Sequence, residues 1–77
     1  MNIKSFENIY FIGIGGIGMS ALAKYFYSQQ KQVSGYDKTP SSSTESLESL
    51  GIKIAFNDHF ESIEAAYLNP EKTLVIT

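Results

Sequence analysis

A short apolar run of strand-forming residues, Ile9 to Ile12, leads into a segment where Gly13, Gly15, Gly16 and Gly18 fill four of six positions. Such an uninterrupted run suits a strand covered on both faces, as in parallel sheets. From Ile17 the period changes, and Met19, Leu22, Ala23 and Phe26 follow the i, i+3, i+4, i+7 spacing of one helix face. Glycine is poor inside either element, so four at their junction imply a tight turn and a backbone approached more closely than a Cβ allows.

The remainder of the chain repeats the alternation. The first helix is predicted to reach about Gln30, and Gln32–Asp37 reads as a second strand, weakened by Gly35. A loop "KTPSSS" follows, then a helix in which Ser42 and Glu45 have capping-box spacing, Leu47 and Leu50 share a face, and Gly51 suits the C′ position. Ile52–Phe56 reads as strand three, "ESIEAAYL" as a short helix ended by Asn69-Pro70, and Leu74–Ile76 as strand four. Order β-α-β-α-β-α-β with short connections predicts one α/β domain: a Rossmann-like parallel sheet of about four strands, ordered 3-2-1-4 and flanked by helices.

Composition narrows the function classes. The 77 residues are 43% hydrophobic and 18% charged, as in an ordinary soluble domain. The net charge of −2 and six scattered lysines argue against nucleic acid, and the lack of arginine removes bidentate clamps on a phosphate. Without cysteine there is no disulfide or thiolate chemistry. The polar start "MNIKSFEN" lacks a signal-peptide core, and no stretch approaches the roughly 20 apolar residues of a membrane span, so a cytoplasmic location is expected and no membrane partner. No metal-ligand cluster, Ser-His-acid set or G-x-x-x-x-G-K-[ST] loop occurs, and no catalytic residue is assigned.

The glycines carry the functional signal. Gly13, Gly15 and Gly18 form G-x-G-x-x-G between a strand and a helix, the context in which that pattern binds a diphosphate. In that reading Gly13 makes the turn, Gly15 admits the diphosphate and Gly18 permits close helix–strand packing. Asp37 ends the second strand 19 residues after Gly18, near the offset of a ribose-binding carboxylate. The plainer reading is a tight βα turn with Asp37 capping the next loop. Spacing alone favours the NAD(P)- or FAD-binding half of an oxidoreductase domain, and a non-catalytic nucleotide-sensing domain stays open.

The stretches "FIGIGGIGMSALA" and "VSGYDKTPSSSTESLESLGIKI" resemble the Mur ligases, in the branch that adds L-alanine to UDP-N-acetylmuramate. Met19 and Ser20 after the last glycine, and Thr44 with Leu47 in T-x-x-L, belong to the resemblance. It implies that the anion is the diphosphate of a UDP-sugar, contacted by Gly13, Gly15, Gly16, Ile17, Gly18, Met19 and Ser20, with Asp37 on the uridine part. His59 joins that set by the resemblance, beside its reading as a solvated loop histidine. Two departures from the family pattern are Tyr36 in Gly35-Tyr36-Asp37 and Asp58 before His59. The resemblance further implies ATP and Mg²⁺ for a full-length enzyme of peptidoglycan precursor synthesis, with no cofactor held by this stretch. Residues 1–77 are then expected to be an N-terminal UDP-sugar-binding domain, a truncated fragment without the ATP-binding and C-terminal ligase domains and not catalytic alone. An apolar fourth strand at the sheet edge would favour self-association through Leu74–Ile76.

Overall fold

The computed structural model describes residues 6–56 and 71–77. Four strands, β1 (Asn8–Ile12), β2 (Gln32–Tyr36), β3 (Lys53–Ala55) and β4 (Thr73–Ile76), form one sheet in the order β3-β2-β1-β4. All three pairings are parallel. The expected topology is the observed one. The third predicted helix and His59 lie outside the described residues.

Register sorts the side chains onto two faces, because successive strand residues alternate. Ile9 pairs with Val33 and Leu74, and Phe11 with Gly35 and Ile76, so these residues share one face. Helices α1 (Ile17–Ser28) and α2 (Ser42–Ser49) cover that face. Ala23 and Phe26 of α1 and Leu47 of α2 join Ile9, Phe11, Ile14, Val33 and Ile52 in a single buried cluster. The Phe11 and Phe26 rings meet at 6.3 Å between centroids in a tilted pair. On the other face Asn8 and Thr73, opposite each other in register, are hydrogen-bonded through their side chains at 3.4 Å.

Helical spacing locates the elements better than the sides they bury. It puts Leu22 in the apolar stripe of α1, yet Leu22 is 43% exposed, whereas Ser20 is buried. It pairs Leu50 with Leu47, yet Leu50 is 46% exposed, because it is the C-cap and no longer follows the helix face. The cap of α2 is also one residue earlier than the sequence suggests. Ser41, not Ser42, is the N-cap, and its partner is Thr44 rather than Glu45.

Both helices end the same way. In α2 the N–H of Gly51 donates to Glu48 O and that of Ile52 to Leu47 O, the paired bonds of a Schellman motif, with Gly51 at φ +105°. In α1 the N–H of Gln30 donates to Tyr27 O and that of Lys31 to Phe26 O. The left-handed residue there is Gln30, at φ +65°, so α1 stops at Ser28 rather than continuing to Gln30.

Inside β2, Gly35 is required by contact rather than conformation. A Cβ there would lie 2.7 Å from both Phe11 O and Ile14 Cδ1. Ile14, fully buried, therefore seats the segment after β1 against the β2 backbone.

Two stability changes are expected, both read from urea midpoints. Gln30→Gly relieves a left-handed side-chain residue and should gain about 0.5–1 kcal/mol. Gly35→Ala forces a methyl into occupied space and should cost about 1–3 kcal/mol.

Candidate functional site

The glycine segment lies at the carboxyl end of β1, beside that of β2. Its first residues are tied to β2, since the N–H groups of Gly13 and Ile14 both donate to Tyr36 O, at 2.8 and 3.0 Å. Gly13 has φ +83°, the turn-making role expected of it. The Gly16 N–H then donates to Gly13 O at 3.1 Å and closes the turn.

Helix α1 begins with no side-chain cap on Gly16 and no acidic residue in its first turn. The first helical bond is Ser20 N–H to Gly16 O, at 2.7 Å. Among the described residues the N–H groups of Ile17, Gly18 and Met19 have no acceptor. Uncapped N–H groups at the positive end of a helix dipole form a place where an anion is stabilised. Gly16, Ile17 and Gly18 are exposed there, Ile17 at 90%.

The glycines do not share one task. A Cβ on Gly15 would lie 2.7 Å from Asp37 Oδ2 and 2.9 Å from Thr44 Cγ2. At Gly18 nothing lies within 4 Å, so the expected role in close helix–strand packing is not its role here. The close approach in this region is at Gly35, which meets the Ile14 side chain and Phe11 O rather than a helix. What Gly18 leaves is open space above the start of the helix.

Asp37 reaches both loops. Its Oδ2 accepts from the Gly15 N–H at 2.7 Å and its Oδ1 from the Thr39 N–H at 3.0 Å. The capping reading of Asp37 therefore describes one of its two oxygens, and the other faces the glycine turn. A carboxylate offers about four acceptor sites, so two remain for further donors.

The other candidate residues separate into two groups. Gly13, Gly15, Gly16, Ile17, Gly18 and Asp37 gather at the turn. Ser20 is turned inward, with its Oγ donating to Ile17 O at 3.1 Å, and the Met19 side chain packs beneath Gly16 and against the core. Spacing misses Gly35 and Thr44 as parts of this region. The first has a signal, a glycine within a strand, which marks close approach by another group. Among the described residues no group of His, Cys, Asp and Glu could hold a metal ion, and no helix is long and apolar enough to cross a membrane. A cleft of about 240 Å³, lined by Tyr27, Lys31, Lys53 and neighbours, lies where β2 and β3 begin. That is the opposite end from the one where parallel sheets take ligands.

Parallel strands ordered β3-β2-β1-β4, with a glycine turn leading from the central strand into an uncapped helix, define a Rossmann-like α/β protein. Residues 8–77 match the model of the Mur ligase family, described as its catalytic domain, and the chain belongs to that family. Curated relatives agree. The chain is 58% identical over 76 residues to a UDP-N-acetylmuramate–L-alanine ligase of Flavobacterium johnsoniae, covering 99% of this chain and 17% of that enzyme. Ligases of the same name from Phocaeicola vulgatus and Cytophaga hutchinsonii are 47% and 42% identical, each over 99% of this chain and 17% and 16% of their own length. The chain thus spans about one sixth of the relatives it matches.

The contrast between two glycines is measurable. Gly18→Ala should leave stability unchanged or raise it by up to about 1 kcal/mol, since the position is open and helical. Gly15→Ala should lower it by about 1–3 kcal/mol, because its methyl meets Asp37 and Thr44. Thermal melts of both variants check the pair.

Proposed function

We propose that this chain is the UDP-sugar-binding part of an ATP-dependent ligase that joins L-alanine to UDP-N-acetylmuramate in peptidoglycan precursor synthesis. The observation that carries the reading is the uncapped start of α1, with three N–H groups lacking acceptors beside an open glycine turn. Family membership and the names of the relatives supply the ligand class. The diphosphate would rest on the N–H groups of Ile17, Gly18 and Met19, with Gly16 and Gly18 leaving room for it. Ile17 offers an exposed apolar surface to the ligand's remainder. Asp37, at the carboxyl end of β2, would direct its remaining acceptor sites to the uridine part. Ser20 supports the turn from within the helix.

The chain's own groups bind and orient. Among the described residues none is placed as a nucleophile or general base for amide-bond formation. ATP and Mg²⁺ would serve the whole ligase, supplying activation of the sugar's carboxylate and charge neutralisation. No cluster of His, Cys, Asp and Glu that could hold a metal ion occurs among the described residues; in this reading the part played by this chain is to hold the sugar nucleotide. A cytoplasmic location belongs to the same reading. So does self-association of the isolated chain, because β4 pairs with β1 alone among the described strands and Val75 is half exposed. Sedimentation at several concentrations should show mass rising with concentration.

Amide spectra of the ¹⁵N-labelled chain test the ligand assignment. UDP-N-acetylmuramate should shift the resonances of Gly15 to Ser20 in a saturable manner, and NADH at equal concentration should not. Saturable shifts with NADH alone would overturn the assignment in favour of a dinucleotide.

A further inference from the structure

Thr44 is fully buried at the start of α2, and its hydroxyl is consumed locally. Oγ1 accepts from the Ser41 N–H at 2.8 Å and donates to Ser41 O at 2.9 Å, while the Thr44 N–H donates back to Ser41 Oγ at 3.3 Å. With both functions of the hydroxyl engaged, the side chain has one rotamer, and a β-branched residue then has its methyl fixed as well. That methyl, Cγ2, lies against Gly15, 2.9 Å from where a Cβ would stand. Serine could make the same bonds without the methyl. Valine could supply the methyl without the bonds. Only threonine joins the cap of α2 to the floor of the glycine turn.

Asp37 acts on the same residue from its own side, through the 2.7 Å bond from the Gly15 N–H. Gly15 is thus held between a carboxylate and a methyl, both supplied by the stretch that leads from β2 into α2. It stands two residues before Ile17, the first of the N–H groups that lack acceptors.

We propose that Thr44 is a positioning residue for the anion site: its methyl, with the Asp37 carboxylate, sets the path of the glycine turn and so the aim of the N–H groups of Ile17, Gly18 and Met19. The inference rests on the UDP-sugar reading for its ligand, but not for its geometry. It makes affinity depend on a side chain that does not touch the ligand.

Two variants separate this from a structural role. Thr44→Ser keeps the capping bonds and deletes the methyl. Ser41→Ala removes a capping oxygen and leaves the methyl. Both should lower the melting temperature. Only Thr44→Ser should weaken binding of UDP-N-acetylmuramate, by roughly three- to tenfold, since preorganisation of the turn is lost. Only Thr44→Ser should move the Gly15 and Gly16 amide resonances of the ligand-free chain. Equal affinity losses in both variants, or unmoved Gly15 and Gly16 resonances in Thr44→Ser, would overturn the proposal. If the unaltered chain binds neither UDP-N-acetylmuramate nor inorganic pyrophosphate, the UDP-sugar reading fails, and the Gly15 and Gly16 resonances alone decide the positioning role.

Discussion

The side chain of Ile14 occupies the space where any residue but glycine at position 35 would carry its Cβ. This contact decides the course of the chain after β1. With Ile14 pressed onto the β2 backbone and two N–H groups bound to Tyr36 O, the segment must cross toward β2 before it can turn into α1. The turn then lies against the start of the β2–α2 connection, within reach of Asp37 and Thr44. Loss of that seat would release the turn from the carboxyl end of the sheet, and the start of α1 would have no fixed relation to Asp37.

Much of this arrangement is legible in the sequence. The alternation of strand and helix patterns, the glycines at the first junction and Gly51 at the end of α2 carry element order, strand order and the place of the turn. Those features are local and periodic, so they survive without knowledge of packing. The errors have physical causes of the opposite kind. Leu22 and Leu50 fit a helical period, yet Leu22 stays 43% exposed on α1 and Leu50, as the C-cap of α2, has left the helix face. Ser42 with Glu45 and Ser41 with Thr44 have the same capping spacing, and only the extended backbone at Ser41 selects one. Gly18 takes a packing role from its place in a pattern, while the close contact is at Gly35, because Ile14 and Phe11 O face it. At the site, spacing brings the glycines and Asp37 together but cannot tell which oxygen of Asp37 goes where.

The turn divides work that a motif treats as one. Gly13 supplies a backbone conformation, Gly15 a space already filled by Asp37 and Thr44, and Gly18 an opening. The division of labour stands whatever the ligand proves to be, since each role is measured against atoms of the chain itself.

The chain has no arginine, and the start of α1 has no side-chain cap, so the polar groups left without acceptors there are main-chain N–H groups. Every residue except proline carries such a group. A survey that trims side chains one at a time to alanine would therefore leave these N–H groups in place, and would register only the side chains that brace them or lie beside them. The N–H groups themselves answer only to added atoms that block them, or to a proline that removes the hydrogen.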